Sequence, residues 1–197
     1  MKHSTADSER MLNVANTLTL LRILAVPLYL NLLVDGLYEG AFLVFLGAGI
    51  TDGLDGAVAR LTNTRTELGA HLDPLADKLL VISAFIALGL LHEIPLRLMI
   101  MVIVRDAVIL GGYLVSAVVV GEAMPMAPSM WGKLTTFLQI LSVCVVMLAL
   151  AGWWAAPDGV RESVFIATGI ATLVSGAGYV VDGIRFYQAS ESSGGRA

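Results

Sequence analysis

TDGLDGAVARLTNTRTELGAHLDPLADKLL, residues 51–80, sets four aspartates, Asp52, Asp55, Asp73 and Asp77, between apolar runs long enough to cross a lipid bilayer. Asp52 and Asp55 are three apart and Asp73 and Asp77 four apart, and both spacings put a pair on one face of a helix. An ionisable residue at membrane depth costs roughly 2.5–3.5 kcal/mol on insertion scales, so such residues face a polar cavity or a partner. Four of them within thirty residues require a common explanation.

Working outward, six apolar stretches are separated by short polar breaks: 18–34, 41–61, 69–91, 95–120, 132–156 and 164–187. A hydrocarbon core about 30 Å thick is crossed by about 20 apolar residues, so each stretch is long enough to span with some tilt. The breaks DGLYEG, TNTRTE, HEIP, GEAMPMAPSMW and PDGVRE carry the Gly, Pro, Asp and Asn of turns. Composition agrees: 57% of the 197 residues are hydrophobic and 14% are charged, against about 25% charged in soluble domains. The expected fold is an all-α integral membrane protein of six transmembrane helices. It forms one membrane domain over residues 1–189, with a disordered tail at 190–197.

Lys2, Arg10, Arg60, Arg65, Lys133, Arg185 and Arg196 fall at the termini and at the second and fourth breaks, whereas the other breaks have only Arg97 and Arg161 nearby. By the positive-inside rule both termini are cytoplasmic. The expected location is a bacterial inner membrane, with the acids in its cytoplasmic half. No cleavable leader is expected at the N-terminus. The lone Cys144 excludes an internal disulfide, and a net charge of −4 without a basic block argues against nucleic acid. A homodimer is compatible with this layout.

If the second and third spans are antiparallel neighbours, the four carboxylates converge at similar depth. Like charges brought together need protons or cations. Oxygen ligands alone suit Mg²⁺, Mn²⁺ or Ca²⁺, and two such ions suit phosphoryl chemistry. Gly56, Ala59 and Gly69 leave space beside the acids, and Arg60 offers a fork of donors to a phosphate. Asn16, Thr19 and Arg22 recur on one face of the first span. Arg105 and Lys133 are two further cations, and Thr136 and Gln139 extend the Lys133 face in steps of three. A structural ion pair is the competing reading of Arg105 with Asp106, and an i,i+3 salt bridge is the reading of Asp182 with Arg185. A divalent-cation transporter is the alternative from another class, but the third span runs LLVISAFIALGLL beyond Asp77, with no polar path onward.

Asp52, Asp55, Gly56, Ala59, Arg60, Gly69, Asp73 and Asp77 fit D-x2-D-G-x2-A-R-x8-G-x3-D-x3-D, eight identities over 26 residues. This resembles the signature of the CDP-alcohol phosphatidyltransferases. NTLTLLR and GKLTTFLQ resemble the branch that makes phosphatidylglycerophosphate or, releasing CMP, cardiolipin. The resemblance implies transfer of a phosphatidyl group from CDP-diacylglycerol to an anionic glycerol-based acceptor in the membrane. Asp52, Asp55, Asp73 and Asp77 would hold one or two Mg²⁺ or Mn²⁺ ions, and Asp77 would also be the base. Gly56, Ala59, Arg60, Gly69, Asn16 and Thr19 would bind CDP. Arg105 and Lys133 would meet the acceptor phosphate. Glycerol-3-phosphate stands first as acceptor; RDAVILGGYLV lacks a second arginine beyond Arg105, which keeps phosphatidylglycerol as the alternative.

Overall fold

The computed structural model describes residues 21, 23–62, 67–119 and 130–194, with side chains at 21, 23–51, 78–112, 130–186 and 188. Among them the chain is helical, without strands: α1 (Ile23–Val34), α2 (Tyr38–Thr62), α3 (Glu67–Leu90), α4 (Leu96–Val119), α5 (Met130–Leu150) and α6 (Asp158–Gly194). Each helix falls on one expected apolar stretch. Met130–Leu150 and Asp158–Phe186 are long and apolar enough to cross a membrane, and Ile23–Val34, Tyr38–Thr51 and Lys78–Leu90 are shorter apolar segments.

The helix ends differ from the apolar boundaries for local reasons. α1, α3 and α5 all close in the same way, with a left-handed residue just past the end: Gly36 (φ 75°), His92 (φ 62°) and Gly152 (φ 72°). At each, that residue's N–H donates three residues back and the next N–H five back, as in Leu37 to Leu32, Glu93 to Leu88 and Trp153 to Leu148. Thus α5 stops at Leu150, although the apolar run continues to Ala156. The Pro95 and Pro157 carbonyls then accept the first N–H groups of α4 and α6, which fixes where those helices begin. α6 starts six residues before its apolar stretch and continues to Gly194, into the segment expected as a tail.

The chain divides into two compact units, residues 1–87 with 144–156, and 88–143 with 157–197. In the first, Tyr29 and Leu33 of α1, Ala41, Phe42, Phe45 and Ala48 of α2, and Leu80, Ala84 and Phe85 of α3 are buried at helical spacing. Tyr29 packs its ring 5.8 Å from Phe45 and sets its hydroxyl 3.7 Å from Met147 Sδ. Trp153 meets Phe42 edge-on and donates from Nε1 to Glu39 at 2.9 Å, which ties the turn after α5 to the start of α2.

In the second unit α4 and α6 lie side by side. Glu93 meets Arg161, Met101 meets Gly169, and Arg105 meets Ser175 and Gly176. The partners rise in number together, so the two helices are parallel. α5 runs opposite to α6: Thr135 Oγ1 lies 2.9 Å from the Ala171 carbonyl and Ser142 Oγ 2.8 Å from Thr168 Oγ1. Opposite Gly169 and Gly176 the side chains of α4 stand 3.5–3.9 Å from where a Cβ would sit, which is ordinary van der Waals contact.

Candidate functional site

Every position of the acidic motif lies on continuous helix: Asp52, Asp55, Gly56, Ala59 and Arg60 on α2, and Gly69, Asp73 and Asp77 on α3. At 3.6 residues per turn, Asp52 and Asp55 are about 60° apart around the axis, and Asp73 and Asp77 about 40°. Each pair therefore shares a helix face by position. Thr51, just before the first acid, is exposed and turns its hydroxyl back to the Gly47 and Ala48 carbonyls at 2.9 and 3.0 Å. From Thr62 to Glu67 the chain takes five steps, which span at most about 18 Å. The side chains at 52–77 lie outside the described residues, as do Asn16, Thr19 and Arg22 entirely.

Arg105 and Lys133 occupy different surroundings. Arg105, 7% exposed, donates from Nη1 to Asp106 at 2.6 Å and from Nη2 to Ser175 at 2.8 Å, with its guanidinium carbon 5.7 Å from the centre of the Tyr179 ring. The ion pair expected of Arg105 and Asp106 is present, and it is buried. Arg105 Nε is left without a hydrogen-bond partner. Lys133 is exposed on α5 and shares no hydrogen bond or ion pair with Arg105.

Gln139 is not on the Lys133 face. Three-residue steps drift around a 3.6-residue helix, and Gln139 belongs instead to the buried face with Thr135 and Ser142. It is 2% exposed, and its Nε2 also lacks a partner. Asp182 and Arg185 are both exposed and form no ion pair, contrary to their reading as a salt bridge. Cys144 is free and half-buried.

Sequence reasoning missed the polar partners on α6. Thr168, Thr172 and Ser175 are each at most 2% exposed and recur at four- and three-residue spacing, a stripe of small residues that an apolar reading of the span passes over. Thr168 and Thr172 bond their own helix, to the Val164 and Thr168 carbonyls, while Ser175 faces Arg105.

α2 and α3, consecutive in the chain, thus each carry one acid pair of the motif on continuous helix. The chain belongs to the CDP-alcohol phosphatidyltransferase family, which it matches over residues 12–175, and it is thereby a transferase of phospholipid synthesis. Over 191 residues it is 35% identical to a probable phosphatidylglycerophosphate synthase of Mycobacterium tuberculosis, covering 91% of this chain and 86% of that protein. It is 33% identical over 153 residues to the CDP-diacylglycerol–glycerol-3-phosphate 3-phosphatidyltransferase of Bacillus subtilis, covering 70% and 78%. The cardiolipin synthase (CMP-forming) of Streptomyces coelicolor is 30% identical over 167 residues, with 79% and 74% covered. Membership of this family sets aside the cation-transporter reading.

Proposed function

We propose that the protein transfers the phosphatidyl group of CDP-diacylglycerol to a hydroxyl of a glycerol-based acceptor, with glycerol-3-phosphate first among acceptors. The acceptor oxygen bonds to the phosphatidyl phosphorus, the phosphoanhydride bond to CMP breaks, and Asp77 takes the hydroxyl proton. The observation that carries this reading is the complete acidic motif on two unbroken helices of a family member. The printed names of the Mycobacterium and Bacillus relatives support the acceptor.

Four carboxylates form a donor set of oxygens that fits a hard divalent ion, so Asp52, Asp55, Asp73 and Asp77 would hold Mg²⁺ or Mn²⁺. Such an ion, when bound, offsets charge on the diphosphate and on departing CMP. Gly56, Ala59 and Gly69 keep space for the nucleotide, Arg60 offers its donors to a phosphate, and Asn16 and Thr19 add hydrogen bonds. Lys133 and the unpartnered Nε of Arg105 are the donors assigned to the acceptor phosphate. Six spans, cytoplasmic termini and an active site on the cytoplasmic side of a bacterial inner membrane complete the proposal.

Phosphatidylglycerol is the second reading, favoured by the absence of an arginine in AVILGGYLV after Arg105 and by the name of the Streptomyces relative. An acceptor screen with purified protein, CDP-diacylglycerol and Mg²⁺ separates the two. Phosphatidylglycerophosphate is the expected product. Cardiolipin from phosphatidylglycerol, with nothing from glycerol-3-phosphate, promotes the second reading, and activity only with inositol or serine sinks both.

A further inference from the structure

Between α4 and α6, within the second unit, runs a groove of about 570 Å³, inside the range of roughly 300–1,000 Å³ typical of small-molecule sites. Its floor is apolar: Leu98 and Met101 from α4, Phe165, Ile166, Ile170 and Leu173 from α6. Ile166, Ile170 and Leu173 are 55%, 58% and 62% exposed, a stripe at i, i+4, i+7 that nothing in the chain covers among the described residues. Gly169 opens the floor, since a Cβ there would meet only Met101 and Leu98 at 3.7 and 3.8 Å.

The rim is charged, with opposite signs on opposite walls. Arg97 stands in the first turn of α4, exposed and without an ion pair among the described residues; Asp158 and Glu162 stand in the first turns of α6, also exposed. The remaining charges at the rim, Arg161 and Glu93, neutralise one another at 2.8 Å and hold the two walls together. A purely anionic head group would meet the two carboxylates as like charges, and a purely cationic one would meet Arg97. The complementary ligand carries both charges, with an apolar tail for the trough.

We infer that this groove binds a phospholipid whose head group bears a phosphate beside a primary ammonium, the phosphate on Arg97, the ammonium on Asp158 and Glu162, and an acyl chain along α6 past Gly169. The site is built from residues the transfer reaction does not use, and it does not depend on which acceptor the enzyme takes. Charge-assisted hydrogen bonds on both walls supply selectivity, and the trough supplies contact area.

The test is native mass spectrometry of the full chain released from detergent, titrated with dioleoylphosphatidylethanolamine or with the same lipid acetylated on its amine. The acetylated lipid keeps the phosphate and both chains but loses the cation. The free-amine lipid is expected to bind roughly five- to tenfold more tightly. Asp158→Asn with Glu162→Gln should abolish that preference, Arg97→Ala should weaken both lipids, and Gly169→Leu should displace both by filling the trough. Equal binding of the two lipids by the unaltered protein, or a preference that survives the loss of both carboxylates, overturns the assignment. Arg97, Asp158 and Glu162 are exposed, so their replacement leaves the packing of α4 on α6 intact as the background for the comparison.

Discussion

In the first unit the buried side chains that can be described are aliphatic and aromatic, from Tyr29 and Leu33 to Phe85 and Met147; in the second, Arg105, Asp106, Thr135, Gln139, Ser142, Thr168, Thr172 and Ser175 are buried as well. Lipid tails are as apolar as leucine, so an apolar helix face gains little from leaving lipid beyond closer dispersion contact. Such a face sets helix spacing but permits sliding. The hydroxyl and guanidinium contacts of the second unit act differently, since Ser175 must sit at Arg105 and Ser142 at Thr168 for either pair to form. One unit is held mainly by contact, the other by contact plus a fixed register. The acid pairs are carried on α2 and α3, helices whose described core is apolar.

The largest expected effect tests where the chemistry resides. Asp77→Asn should lower CMP release by roughly 10²–10⁴-fold while CDP-diacylglycerol still binds, and removal of divalent ions by chelation should abolish turnover. Near-normal turnover in either experiment places the base or the charge compensation elsewhere. Arg105→Ala should instead act mainly on the acceptor, raising its KM more than that for CDP-diacylglycerol.

The second expectation concerns the buried pair. Arg105→Met removes the buried guanidinium that meets both Asp106 and Ser175 and should cost about 3–5 kcal/mol in unfolding measured in detergent. A single variant as stable as the unaltered protein would break the contrast between the two cores. Within that contrast, Phe85→Ala should cost about 3 kcal/mol through the cavity it opens, and Ser142→Ala only about 0.6 kcal/mol. The reverse order would mean that hydroxyl contacts, rather than packing, dominate stability.

The smallest expected effect is at a helix end. His92 adopts the left-handed conformation that Gly36 and Gly152 supply at the equivalent turns, so His92→Gly should stabilise by roughly 0.5 kcal/mol. Destabilisation instead would assign the imidazole a contact worth more than the backbone strain.

Much of this architecture was readable in advance because apolar runs of helix length leave few alternatives, and because DGLYEG, HEIP and PDGVRE carry recognisable turn chemistry. The acid pairs were legible for the same reason: a carboxylate in an apolar run is conspicuous. What escaped was chemistry that blends into such runs. Thr168, Thr172 and Ser175 look like ordinary small residues of a span, and only the neighbouring helices reveal which face they occupy. Gln139 falls on a different face from Lys133 because two three-residue steps end about 120° short of two full turns of a 3.6-residue helix. The end of α5 at Leu150 was hidden because AGWWAA remains apolar, and only the conformation of Gly152 marks the stop.

The bond between Arg105 and Asp106 has a further consequence for biogenesis. Ser175, the partner of Arg105 on α6, lies 70 residues later in the chain. At roughly 5–20 residues per second of synthesis, α4 waits several seconds before that partner exists. An unpaired arginine entering the bilayer during that interval would carry its full insertion penalty. Its neighbour in sequence removes the need to wait, because a carboxylate 2.6 Å away on the same helix travels with it. Arg105 thus reaches the translocon with its charge already offset, and α6 finds a partner in place when it is made.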